Sequence, residues 1–275
     1  MQKMFGFPLS QQAISCMIQR AVNTYRNAYN DILHRILRGN LIHSDETHVS
    51  VKGKDSYVWV FTSMEEVIYI WSETREGLVA TEFLKDFKGV LVSDFYSVYD
   101  SADCPQQKCL IHLMRDLNDA IRREPFNLEM KEVVQGFATL LKPIIDTIDR
   151  FGLKAHFMRK HKLAVTRFYH ALFLRKYTTE SAQKIQKRFN KNRDKLFTFL
   201  DYDNVPWNNN NAEHAIKSFA DLRDVIGGPT TQRGIRNYLI LLSIYQTCVY
   251  REIDFLGFLR SGEKTINGYV GKRGR

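Results

Sequence analysis

LIHSDETHVSVKGKDSYVWVFTSMEEVIYIWSE, residues 41–73, holds three runs rich in β-branched and aromatic residues, at 41–50, 56–63 and 67–73. Lys52-Gly53-Lys54-Asp55 and Met64-Glu65-Glu66 separate them as turns, so the stretch predicts a three-stranded antiparallel meander. Ahead of it the period changes. Ile14, Met17, Ile18, Val22, Tyr25, Tyr29, Ile32, Leu33 and Leu37 recur at spacings of three and four, which predicts a helix over residues 8–38, capped by Ser10 and ended by Gly39 and Asn40. Behind the meander, a helical stretch over 76–87 ends at Gly89. The apolar run Val90-Leu91-Val92 then predicts a buried strand with Asp94 at its C-terminal end, and 107–111 predicts one more strand.

From His112 to Leu200 the pattern is helical, with breaks expected at Pro125, Pro143 and Gly152. After Pro206 come an Asn-rich cap, a helix over Ala212–Val225, a loop at Gly227-Gly228-Pro229, an apolar helix over 233–251 and a loose basic tail, GYVGKRGR. Strands, then a long helical block, then further helices predict an α/β core interrupted by an all-helical insertion. The division follows: an N-terminal helical segment (1–40), the first part of the core (41–124), a basic insertion (125–205), the completion of the core (206–262) and the tail (263–275).

A chain of 275 residues, 44% hydrophobic and 25% charged, has the composition of an ordinary globular protein with a sizeable core. No apolar run approaches the roughly 20 residues of a membrane span, and the N-terminus lacks a signal peptide's apolar stretch. A cytoplasmic protein without a membrane partner is expected. Cys16, Cys104, Cys109 and Cys248 are too few and scattered for a disulfide framework, so they are expected as thiols. Charge is concentrated: residues 154–195 carry 13 Lys or Arg against Glu180 and Asp194, a local +11, whereas the remainder sums to −1. One basic segment beside a near-neutral remainder implies a surface facing a polyanion, and nucleic acid is the natural one. Arg159, Lys160, Lys187, Arg188 and Lys191 are the expected phosphate contacts; a solvated helical face is the alternative reading. The interleaved Phe157, Phe168, Tyr169, Phe173, Tyr177 and Phe189 fit core packing better than base stacking.

Three carboxylates carry the chemistry: Asp45 in the first strand, Asp94 after the apolar strand, and Glu213 in WNNNNAEHAIK, at the start of a helix. Hard divalent cations prefer oxygen ligands and need only a few protein carboxylates, so this set suits two ions in a metal-dependent nuclease or transposase core. Each also has a local reading, as a turn cap at Asp45, a cap of the helix or loop that starts at Phe95 for Asp94, or a complement to the helix dipole at Glu213. Cys109 and His112 form a C-x-x-H element at the opening of a helix, where bracing of the Asp94 region is favoured. Zinc is disfavoured, because a structural site normally needs four ligands in recognisable pairs. Trp207 is a candidate to stack on a DNA base or to anchor its own loop.

SDET around Asp45, GVLVSDFYSVY around Asp94, CLIHLMRDL at 109–117 and NNNNAEHAIK around Glu213 together resemble the DDE transposases of the insertion-sequence-66 type. The resemblance runs from Phe5 to Leu259. It implies a ribonuclease H-like mixed sheet with an all-helical insertion between the second and third catalytic carboxylates. It also implies a catalytic and metal-binding triad of Asp45, Asp94 and Glu213, with two Mg²⁺ or Mn²⁺ ions. Implied partners are DNA, both element ends and target, a second copy in a homodimer, and accessory proteins of the same element; residues 8–38 are the segment expected to contribute to the dimer contact. The implied activity is cleavage and strand transfer of DNA. Where members of this family carry Glu-Arg and a further Arg three residues on, this chain has Glu213-His214 and Lys217, so charge is kept but a bidentate phosphate contact is not. The chain also begins almost at the catalytic region. The alternative is therefore a catalytically idle DNA-binding or regulatory derivative.

Overall fold

The computed structural model describes residues 10–226 and 231–273, a mixed α/β chain. The loop expected at Gly227-Gly228-Pro229 and the first residues of the opening helix lie outside the described residues. The chain forms two compact units, one of Met1–Phe87, Val98–Asp103 and Asn210–Arg275, the other of Lys88–Ser97 and Cys104–Asn209.

The first unit is built on the predicted meander: β1 (Leu41–Val51), β2 (Lys54–Thr62) and β3 (Val67–Ser72). The first turn is shorter than expected, because Lys52 and Gly53 both take positive φ and Lys54 already pairs with Val51. The register opposes Asp45 to Val60 and Val60 to Tyr69, so these three share a face. On that face Val49, Val51, Val58, Val60, Tyr69 and Trp71 pack against Ala215, Phe219, Ile235, Leu239 and Leu242. On the opposite face Phe61 stacks on Phe83 at 3.9 Å, and Trp59 meets Tyr99 edge-on at 6.1 Å.

Helices cover the sheet. α1 (Gln11–Arg38) is capped by Ser10, whose hydroxyl accepts from Ala13 N at 3.1 Å. It buries Val22, Tyr25, Ala28, Ile32 and Ile36, while Ile14, Met17 and Ile18 nearer its start stay exposed. Arg35 of α1 pairs with Glu66, whose carboxyl is raised by burial despite that partner. α2 (Leu78–Leu84) is shorter than the helix expected over 76–87.

In the second unit β4 (Val90–Ser93) and β5 (Gln106–Lys108) pair in parallel, with Ser93 opposite Lys108. The strand expected over 107–111 stops at Lys108, because Cys109 already caps α3 (Leu110–Arg123). A 3₁₀ turn, Ser97–Ser101, separates β4 from β5. The helical block continues as α4 (Leu128–Phe151), α5 (Ala155–Met158), α6 (Lys162–Leu174) and α7 (Glu180–Lys191). Pro143 does not break α4 as expected. Leu140, Leu141 and Ile144 are buried on either side of it, and that burial offsets the lost backbone bond. The core of the block is aromatic: Phe137 contacts Phe168, Phe189 and Phe197 at centroid distances of 5.9, 5.3 and 6.4 Å.

Back in the first unit, α8 (Asn210–Ile226) and α9 (Gln232–Tyr250) form the helical layer over the sheet. The amides of Val67 and Tyr69 donate to Thr247 Oγ1 and Ser243 Oγ of α9 at 3.1 and 3.0 Å. α10 (Phe255–Ser261) and α11 (Ile266–Arg273) follow. The expected loose tail is thus largely helical, because Ile266 and Tyr269 are buried and Tyr269 packs on Phe258 at 5.8 Å. Among the described residues no helix is long and apolar enough to cross a membrane.

Glu129 ties α4 to the start of α7. The hydroxyls and amides of Thr179 and Thr178 all donate to its carboxylate, which lowers its pKa from 4.5 to about 2. A depressed carboxyl contributes stability that is complete above its ordinary pKa and is lost as pH falls through the folded value. Glu129→Gln should therefore be less stable than wild type in urea titrations at neutral pH, with the gap closing between pH 4.5 and about 2. A gap that persists unchanged at the acid end would contradict this account.

Candidate active site

In the first unit Asp45 sits mid-β1, half-buried, on the face covered by α8 and α9. Glu213 lies in the first turn of α8, half-buried, where its negative charge suits the helix N-terminus. Three bonds fix that turn. Tyr69 Oη donates to Ala215 O at 2.8 Å, Tyr250 Oη donates to Asn211 O at 3.2 Å, and Asn211 Nδ2 donates to Ser63 O at 2.6 Å. Because Tyr69 opposes Val60, and Val60 opposes Asp45, one row across the sheet holds the first carboxylate at one end and the anchor of the Glu213 helix at the other. His214 and Lys217 are exposed on the same helix.

The next residue along β1 turns to the other face. Glu46, its side chain only 3% exposed, accepts from Tyr99 Oη at 2.8 Å and pairs with Arg75 Nη2 at 2.6 Å. Ser44 Oγ donates to the Tyr99 oxygen at 3.3 Å. Burial, and then the neighbouring Glu46 carboxylate, hold the Tyr99 phenol well above its usual pKa, so it remains a proton donor. This cluster pins the middle of β1 from behind Asp45. Glu46 and Tyr99 lie inside the SDET and FYSVY stretches, where neither residue type nor spacing distinguishes them from the neighbouring Asp45 and Asp94.

In the second unit Asp94 follows β4 directly. Its Oδ1 accepts from Tyr96 N at 2.9 Å, the turn-capping geometry of its local reading. Among the described residues its second oxygen accepts no hydrogen bond. Ser93 Oγ donates to Asp94 O at 3.1 Å and accepts from Lys108 Nζ at 3.2 Å, and Lys108 is 1% exposed. An amine this deeply enclosed is costly unless its surroundings are polar or anionic, and nothing in the sequence marked Lys108 as a neighbour of the Asp94 turn.

Cys109 is buried: its amide donates to Ser93 O at 2.8 Å, and its Sγ accepts from Asn209 N at 3.3 Å. Leu110 N donates to Trp207 O at 2.9 Å. The C-x-x-H opening of α3 therefore joins the end of β4 to the segment that leads into α8. A ring nitrogen of His112 lies within 4.8 Å of Cys109 Sγ. Trp207 contributes its backbone to this brace.

The predicted DNA contacts divide. Arg159, Lys160, Lys187 and Lys191 are exposed, and Lys160 Nζ stands 5.8 Å from the Phe151 ring. Arg188 is half-buried, with Nη1 on Asp116 Oδ2 at 2.6 Å. Other charges of the segment are engaged within the helical block: Lys162 with Asp201, Arg175 with Glu132, Lys184 with Glu180, and Arg193 over Tyr169. Tyr169, Tyr177 and Phe189 are buried and Phe168 half-buried, so these aromatics pack rather than stack on bases.

The model of the IS66 transposase family matches residues 1–237. No curated protein matches the chain.

Tyr99→Phe removes the donor to Glu46 without changing the ring's packing. Loss of a hydrogen bond to a nearly enclosed carboxylate should cost about 1–3 kcal/mol, read as a lower urea midpoint. A midpoint equal to wild type would mean that the cluster does not hold β1.

Proposed function

Because the chain belongs to the IS66 family of transposases, we propose that it cleaves and joins DNA at a ribonuclease H-like site whose ligands are Asp45, Asp94 and Glu213. The observation that carries this reading is the row across the first unit's sheet, which puts Asp45 and the anchored start of the Glu213 helix on one face. Chance caps would not require that alignment. Asp94 supports it in its own unit, with one carboxylate oxygen engaged by its turn and the other available to a ligand.

The donor chemistry fits the expected ion. All three ligands are carboxylates, hard oxygen donors of the kind Mg²⁺ and Mn²⁺ accept. When bound, two such ions activate an attacking hydroxyl and stabilise the departing oxygen of a phosphodiester. The chain's own residues then have three tasks: the carboxylates hold the ions, the braces at Ser93, Cys109 and Ala215 keep those carboxylates in place, and the basic helices hold the strand. No side chain acts as a nucleophile. Water attacks first and frees a 3′-hydroxyl at an element end; that hydroxyl then attacks the target strand, and a 3′-oxygen leaves. Both are in-line displacements at phosphorus, so one site serves both.

Exposed Arg159, Lys160, Lys187, Lys191 and Lys217 supply contacts to phosphate that position DNA without reading its sequence. The helical block over 125–205 is the insertion that presents most of them. Joining two ends calls for a homodimer, and the exposed Ile14, Met17 and Ile18 of α1 contribute to its contact.

Purified protein should nick supercoiled plasmid with Mg²⁺ or Mn²⁺ and not with EDTA. Asp45→Asn, Asp94→Ala and Glu213→Gln should each reduce the rate on the order of 10³-fold or more. Duplex binding should weaken with salt, with a slope of log K against log salt of about −4, as expected for four or five neutralised phosphates. Salt-sensitive binding with no nicking in any metal would instead identify an idle DNA-binding relative.

A further inference from the structure

Arg188 stands apart from the basic residues around it. Lys187 and Lys191 on the same helix are exposed, whereas the Arg188 guanidinium carbon lies 4.1 Å from the ring centroid of Phe95, the residue after Asp94. One corner of the guanidinium is fixed by Asp116 Oδ2. Among the described residues, Nε and Nη2 donate no hydrogen bond. The side chain keeps 27% of its surface exposed, so this second edge is not sealed.

A planar cation laid on a ring and tethered at one corner has already given up much of its rotamer freedom. Its remaining N–H groups form a fork suited to a phosphate, at a lower ordering cost than a free surface arginine. A purely structural role would be to pin α7 to α3 through Asp116. That role explains the ion pair, but it does not call for a guanidinium stacked beside the residue adjoining Asp94, with two nitrogens left over.

We propose that Arg188 is a substrate-positioning residue: its Nε and Nη2 edge grips a DNA phosphate next to the one cleaved at Asp94, using Phe95 as its platform. The assignment rests on the reading of Asp94 as part of the catalytic triad. It separates Arg188 from Lys187 and Lys191, which draw DNA to the surface, and makes it the point at which the helical block orients the strand for reaction.

The test uses the full chain, supercoiled plasmid with Mn²⁺ for rate and a short duplex for affinity. Arg188→Met, which keeps the stem but removes the fork, should lower the maximal nicking rate about a hundredfold at saturating plasmid. Its duplex dissociation constant should rise by no more than about tenfold. Arg188→Lys should recover little, since a point charge lacks the fork. Lys187→Met should instead act on affinity and reduce the salt slope by about one. Asp116→Asn should lose much less rate than Arg188→Met, because the ring still carries the guanidinium. Equal losses in Asp116→Asn and Arg188→Met, with equal drops in melting temperature, would reduce Arg188 to a pin. So would wild-type rates in Arg188→Met beside an inactive Asp94→Ala, and these outcomes leave the triad standing. A wild type that binds but never nicks overturns the triad reading and, with it, this one.

Discussion

The register between β1 and β2 is the constraint on which the first unit depends. Side chains alternate along a strand, so a slip of one residue would send Asp45 to the face of Phe83 and bring Glu46 under α8. The apolar residues prevent it: Val49, Val51, Val58 and Val60 must remain under α8 and α9, and Trp59 and Phe61 on the other side. Burial of these side chains, each worth roughly 1.5–3 kcal/mol, exceeds the penalty of keeping carboxylates half-buried beside them. The position of the carboxylate is thus a by-product of where valines can be dry. The Glu46, Tyr99 and Arg75 cluster adds a polar lock to the same register from the opposite face.

Much of this was legible in advance. The meander, the opening helix and its Ser10 cap, the strand before Asp94 and the helix bearing Glu213 follow from period and punctuation, because each is decided by residues near in sequence. Three features were not legible, each for a distant reason. Pro143 reads as a break, yet burial of Leu140, Leu141 and Ile144 carries α4 through it. The tail reads as loose, yet Ile266 and Tyr269 bury themselves in the first unit. Lys108 falls in the strand expected over 107–111 without any sign of burial, and only the pairing of β4 with β5 puts it beside Ser93.

Composition overstated the basic surface in the same way. A count of charges over residues 154–195 treats each as available, but carboxylates or aromatic rings already engage Lys162, Arg175, Lys184 and Arg193. Exposed ion pairs are individually weak, so these residues can still exchange partners when a polyanion arrives. Arg188 differs because ring and carboxylate fix it together. The segment thus carries singly paired charges and, in Arg188, a cation held on two sides.

The two hydroxyls of α9 that take the outward amides of β3 have a consequence for assembly. An uncovered outer strand is a template onto which another chain can add a strand of its own. With Val67 and Tyr69 already satisfied by Thr247 and Ser243, that border of the meander is blocked at those two amides. There the outer surface is made of helical side chains, whose size, charge and shape vary residue by residue, in place of backbone groups, which accept almost any partner.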